Sequence, residues 1–248
     1  MLAARVVSDL EAGFSPQGVS KRLARQGVRV SHETIYRAVY SGVLGVDPQQ
    51  VLRRRRKARR SHHQVFTTNI SGNYLGDYRR ITTRPAVVTS RVEPGHWEGD
   101  LIVGRGAGSA MITLYELTSR YTHLIELPQG RKTRHVVAAL AQWLQTLPAG
   151  MRRTLTWDQG AEMTRWPDID HHLTQGIYFT DRRSPWQRAG NEQNNGLIRF
   201  WLPRTIDLTK PGPRLHQALH VLNNQPRRSL QWQTPNEVYA HHIRAMTG

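Results

Sequence analysis

At 248 residues the chain has room for one large domain or two. It carries 35 Lys and Arg against 18 Asp and Glu, a formal net charge of +17, and a surplus of that size points first to a polyanionic partner such as nucleic acid. The absence of cysteine excludes disulfides, a thiolate zinc site and a cysteine nucleophile. No apolar run reaches the ~18 residues of a membrane span and no signal pattern opens the chain, so the expectation is a cytoplasmic protein with no membrane partner.

The charge is uneven: residues 1–92 hold 17 basic and 5 acidic residues, whereas residues 93–248 hold 18 and 13. In the front part, Leu2, Val6 and Leu10 recur at helical spacing. Ser15-Pro16 reads as an N-cap followed by a proline at the first helical position, with Val19 and Leu23 as the apolar face and Gly27 as the stop. Ser31 caps a further helix, His32 to Tyr40, with Ile35 and Val39 inward. Three short helices with this connection are similar to a helix-turn-helix, which would turn His32, Glu33, Thr34 and Arg37 toward a major groove. A generic three-helix bundle would show the same pattern. Residues 1–45 are therefore expected to form a small helical DNA-binding domain.

Residues 46–92 read as a basic linker. Arg53, Arg54, Arg55, Arg56, Lys57, Arg59 and Arg60 cannot pack in a core, and phosphate is the fitting partner for such a run.

From residue 93 to 248 the texture becomes α/β. His96–Val103, Met111–Glu116 and His123–Leu127 read as an antiparallel meander, and Thr133 caps a helix to Leu147. Leu155–Trp157 and Ile177–Phe179 read as short strands. A helix carries Glu192 through to about Trp201, and a last one runs from Leu215 to Leu222. The order predicts a mixed sheet flanked by helices, of the ribonuclease-H-like kind.

Three acids stand out. Asp100 lies in the first strand, on one face with His96 and Glu98. Asp158 follows a short apolar strand. Glu192 is the lone carboxylate in a run of amides, glycines and arginines, on one helix face with Asn195, Gly196 and Arg199. Gly190 and Gly196 each cost roughly 1 kcal/mol in a helix interior, which suggests close approach of something to that face. Three gathered carboxylates would need a compensating cation; two Mg2+ or Mn2+ ions would supply it and could act on a phosphodiester. Glu98 competes with Asp100, while Asp168, Asp170 and Asp181 lie in polar loops. On the residues alone, a metal triad and ordinary turn acids both stay open.

The segments Gly95-His-Trp-Glu-Gly-Asp-Leu-Ile-Val-Gly104, Leu155-Thr-Trp-Asp-Gln-Gly160 and Ser184-Pro-Trp-Gln-Arg-Ala-Gly-Asn-Glu-Gln-Asn-Asn-Gly-Leu-Ile-Arg199 resemble the three catalytic blocks of insertion-sequence-thirty family transposases. The resemblance runs from Ser31-His-Glu-Thr-Ile-Tyr36 to Trp232-Gln-Thr-Pro-Asn-Glu237. It implies a ribonuclease-H-like integrase core with Asp100, Asp158 and Glu192 as metal-holding catalytic acids. It also implies cleavage and strand transfer at terminal inverted repeats of double-stranded DNA, by a homo-oligomer on that DNA. Trp186, Arg188, Asn195 and Arg199 are then expected to contact DNA. Members of the family usually carry a further helix-turn-helix module ahead of this region, so a shortened form is expected here. A catalytically silent DNA-binding remnant or repressor is the second expectation.

Overall fold

The computed structural model describes residues 1–52, 75–106, 108–182 and 184–247. The basic run 53–60 and the histidine pair 62–63 lie outside these residues. Two compact units are distinguished, with the division between Asn73 and Tyr74 and with Gln225–Arg227 counted with the first.

In the first unit, α1 (Leu2–Ala12) packs on α2 (Pro16–Ala24), which packs on α3 (His32–Tyr40). The caps are those the sequence predicts: Ser15 Oγ accepts from Gly18 N at 3.1 Å and Ser31 Oγ from Thr34 N at 3.0 Å. Gly27, at φ +81°, makes the turn between α2 and α3, a conformation that costs a glycine little. Val6, Leu10, Phe14, Val19, Leu23, Ile35 and Val39 are buried, joined by Val51 of α4 (Pro48–Val51).

The second unit begins within the stretch expected to be linker. Leu75 joins the main core, and α5 (Val87–Ser90) buries Val88 against Tyr115 and Leu117. Arg84 Nη1 donates to Thr156 Oγ1 at 2.8 Å. Leu75, Arg84 and Val88 are thus part of the sheet's packing.

The sheet follows: β1 (His96–Val103), β2 (Ala110–Glu116), β3 (Thr122–Glu126), β4 (Thr154–Trp157) and β5 (Gly176–Phe179), in the order β3-β2-β1-β4-β5. β1, β2 and β3 form the antiparallel meander, and β1–β4 and β4–β5 are parallel. A mixed sheet of this order flanked by helices is ribonuclease-H-like. The tight β2–β3 turn is held by Glu116, whose carboxylate accepts from Thr118 N at 3.0 Å and Ser119 N at 2.6 Å, and from Gly95 N at 3.0 Å.

Between β3 and β4 runs α6 (Thr133–Gln145), which buries Val136, Val137, Leu140, Trp143 and Leu144. Thr133, expected as its cap, is its first helical residue, and its hydroxyl donates to Ala161 O at 3.0 Å. After α7 (Pro167–Asp170) and β5 come α8 (Ala189–Ile198), α9 (Pro213–Asn224) and α10 (Pro235–Thr247). α10 leaves no clear pattern in the sequence. It is anchored by Tyr239, stacked on Tyr121 with ring centroids 4.1 Å apart.

The pairing of β1 decides where a site can form. Against β4 it ends at Glu98↔Thr156, while against β2 it continues to Val103↔Ala110. Asp100 and Asp158 each lie two residues past that last parallel pair. The two strands part there and leave a notch with an acid on each lip.

Candidate active site

Asp100 is about a quarter exposed (24%) and Asp158 more so (43%), in keeping with the opening of the notch. Asp100 Oδ1 accepts from Leu101 N at 2.8 Å and its Oδ2 from Asn195 Nδ2 at 2.9 Å. Burial pushes the Asp100 carboxyl up to about 6; Arg188 pulls against that rise and Asp158 adds to it.

Arg188 bridges the two acids. It ends the 3₁₀ turn Pro185–Arg188 and is 5% exposed. Its Nη1 donates to Gly99 O at 2.6 Å and stands 3.7 Å from Asp100 Oδ2, and its Nη2 is 3.3 Å from Asp158 Oδ2. Asp158 Oδ1 is buried and, among the described residues, has no hydrogen-bond partner.

The helix carrying Glu192 is docked from both sides of Asp100. Glu98, the competing acid, is buried at 3% exposure and accepts from Asn191 N at 2.9 Å. Asn191 lies in the first turn of α8, a helix that has no side-chain cap from its own N-cap residue. Glu98 therefore supplies from β1 an acceptor that the local sequence lacks. Burial pushes its carboxyl up, with the Asn191 N–H and the arginines 91, 84 and 188 opposing.

One turn beyond Asn191, Asn194 Oδ1 accepts from Thr122 Oγ1 at 2.9 Å. The face of α8 turned to the sheet is thus Gly190, Asn191, Asn194 and Ile198. Glu192 is exposed and stands one turn before Asn195, on the flank that Asn195 turns to Asp100. Among the described residues no three His, Asp or Glu stand together closely enough to hold a metal ion. Asp100 and Asp158 share the notch, and Glu192 lies outside it.

The glycines divide by role. A Cβ on Gly99 would fall on the Trp157 ring, and one on Gly190 would stand 3.0 Å from both Glu98 Oε2 and Tyr115 Cε1. Gly190 thus permits close approach of the sheet to α8, where the sequence suggests a duplex. Gly196 faces open space.

The remaining predicted DNA contacts fall in different settings. His32, Thr34 and Arg37 are exposed on α3. Trp186 is 70% exposed and lines a cleft with Arg84, Arg91 and Glu98. Arg199 is half-buried with Nη1 3.3 Å from Leu202 O; burial and Arg204 lower its affinity for its proton, and Asp100 raises it. Asn195 and Arg188, expected to touch DNA, are turned to the acids.

Sequence reasoning overlooks one carboxylate, Glu162, which accepts from Trp157 Nε1 at 3.0 Å and is pushed up by burial and then by Asp158. Its signal is its place four residues past Asp158, after Gly160, where a Cβ would collide with it. Of the discounted acids, Asp181 accepts from Gln187 Nε2 at 2.9 Å, and the other two are occupied elsewhere. Asp170 binds Arg79 at 2.7 Å and Ile177 N at 2.8 Å, and Asp168 pairs with Arg165.

With this geometry in hand, the relatives are informative. The chain is 37% identical over 237 residues to the transposase for insertion sequence element IS1086 of Cupriavidus metallidurans, covering 93% of this chain and 70% of that protein. It is 30% identical over 240 residues to the transposase for insertion sequence element IS4351 of Bacteroides fragilis, covering 95% and 72%. The chain belongs to the IS30 family of transposases.

Transposase InsI for IS30A of Escherichia coli is 34% identical over 242 residues, 94% of this chain but 63% of that protein, so this IS30-family chain spans about two thirds of the length of such relatives. Membership classes it as a DNA transposase of the insertion-element type, a polynucleotidyl transferase. No family model matches the sequence. Among solved structures, the catalytic core domain of BIV integrase is similar at 16% identity and a TM-score of 0.46, covering 61% of this chain and 97% of that one. Among the described residues no helix is long and apolar enough to cross a membrane.

Proposed function

We propose that this IS30-family chain cuts DNA at transposon ends and joins the freed 3′ ends to a target, with Asp100, Asp158 and Glu192 as the catalytic acids. The observation that carries the reading is the pair of aspartates flanking the point where β1 and β4 part. Asp158 adds to the rise that burial causes in the Asp100 carboxyl, and Asp158 Oδ1 is an acceptor buried without a partner among the described residues. That donor set, all hard oxygens, suits Mg2+ or Mn2+.

Asp100 and Asp158 would hold a cation in the notch, and Glu192, outside it on α8, is the third acid this reading assigns to the metal. When bound, such ions activate a water or a 3′ hydroxyl and stabilise the leaving oxygen of a phosphodiester. The protein's own contribution is positional. Asn195 orients Asp100, Glu98 fixes the start of α8, and the exposed Glu192 is carried on a helix whose rotation these two bonds set. Trp186 would stack on an exposed base and Arg199 would meet a phosphate. In the first unit, His32, Thr34 and Arg37 would read the terminal repeats, and the basic run 53–60 would hold their backbone without regard to sequence. Pairing two ends calls for a homo-oligomer on the DNA.

The test is strand transfer on a substrate bearing the element's own ends. Asp100→Asn, Asp158→Asn and Glu192→Gln are each expected to lose transfer by several orders of magnitude while binding the ends as the unaltered protein does. Full activity in all three would dismiss the assignment.

A further inference from the structure

The sequence suggests that Arg188 lies on the DNA, yet its guanidinium is buried on three oxygens: Gly99 O, Asp100 Oδ2 and Asp158 Oδ2. At 5% exposure it has little surface left to offer a phosphate. It can do what a planar, permanently charged group does well, which is to span two carboxylates that would otherwise repel. We propose that Arg188 is an internal counter-cation that holds the Asp100–Asp158 pair when no metal is bound and competes with a divalent ion for the same oxygens. The inference rests on the reading that these aspartates hold metal.

Three features of the site support it. Both acids offer Arg188 their Oδ2 atoms, whereas Asp158 Oδ1 is left buried without a partner among the described residues, so one positive charge does not satisfy the pair. A dication placed between the acids would stand within a few ångströms of the guanidinium, and like charges at that range oppose each other. Arg188 also sits at a backbone junction (φ −125°, ψ 38°) between the 3₁₀ turn and α8, outside the helix proper. A change there can withdraw the side chain without unwinding α8. Its hold on Gly99 O lies on the edge of β1 that β4 has just left, so that edge stays capped until the arginine leaves.

The alternative is a plain structural peg that fastens α8 to β1 and is indifferent to metal. The two differ in what removal does to metal affinity. Mn2+ binding to the full chain without DNA can be followed by the electron paramagnetic resonance of free Mn2+, for the unaltered protein, Arg188→Gln, Arg188→Lys and the double variant Arg188→Gln/Asp158→Asn. Arg188→Gln is expected to bind Mn2+ about 10-fold tighter or more, the scale on which groups around metal ligands tune affinity. Its melting temperature should be lowered without metal and recovered on Mn2+ addition, and the double variant should lose the gain. Should Arg188→Gln fail to fold, Arg188→Lys, which keeps the charge but lacks the fork, should show a smaller gain in the same direction. Binding no tighter than that of the unaltered protein, with a melting deficit that Mn2+ does not restore, would make Arg188 a peg and overturn the inference. If Asp158→Asn meanwhile abolishes strand transfer, the catalytic reading stands without it. If Asp100→Asn, Asp158→Asn and Glu192→Gln all leave transfer intact, that reading falls first.

Discussion

Alternation along β1 places Glu98 and Asp100 on one face and does not rank them; only the family resemblance singles out Asp100. The structure separates them by what reaches each carboxylate. Glu98 is met by the N–H of Asn191, 93 positions along the chain, and Asp100 by an asparagine side chain and an arginine. A strand residue that completes a distant helix leaves no local pattern, which is why its role is not legible in the sequence. Glu98→Leu should cost about 1–3 kcal/mol in thermal or denaturant unfolding, the range for stranding a buried partner, whereas Glu98→Gln keeps an acceptor and should cost less. If Glu98→Gln is stable yet inactive in strand transfer, Glu98 takes part in the chemistry as well. At the neighbouring position, Gly99→Ala forces a methyl into the Trp157 ring and should destabilise by about 1–3 kcal/mol, read by the same unfolding curves.

At the scale of elements, the strands are readable because each carries apolar residues in a short run or interleaved with polar ones, with turn residues nearby. α8 is readable as a helix but not in its rotation. Its sheet-facing side is made of Gly190, Asn191, Asn194 and Ile198, so hydrophobic periodicity carries little signal, and two amides take the place of a core stripe. α10 escapes for a related reason, since only Pro235 of its residues is fully buried. The two glycines of α8 give a paired prediction. Gly196→Ala enters open space and should stabilise the helix by up to about 1 kcal/mol. Gly190→Ala must push Glu98 or Tyr115 aside and should lower the melting temperature. If Gly196→Ala raises stability but weakens binding to transposon ends, the open space beside it is where the duplex lies.

Across the whole molecule, charge and protonation set the working range. With a formal net charge of +17 the chain should bind DNA with a steep inverse dependence on salt. Replacing the arginines of residues 53–60 by glutamine should flatten the plot of log affinity against log salt, by about one unit of slope for each phosphate that is no longer neutralised, and equally for specific and unrelated duplexes.

Acid stability should depend on His123, which stacks on Trp143 at 5.8 Å and is held by burial down at about 4. A histidine whose folded value lies below its unfolded one binds its proton preferentially in the unfolded chain. Its contribution is therefore complete above about pH 6.5 and is lost as the pH falls toward 4, by up to about 3 kcal/mol. His123→Phe should flatten the stability curve over that interval in chemical denaturation.

The stacking of Tyr239 on Tyr121, with its edge to Trp97 at 6.1 Å, also orders events in time. β1, β2 and β3 are contiguous and can pair while the chain is still being made. The aromatic cluster beside them cannot close until α10, more than about a hundred residues later, has been synthesised, and such distant pairings are slow to form. During that interval α6 already covers Trp97 through Trp143, at 4.8 Å, while Tyr121 still lacks its stacking partner. A chain halted before Pro235 would leave Tyr121 without its stacking partner, so α10 is the element that closes this side of the sheet.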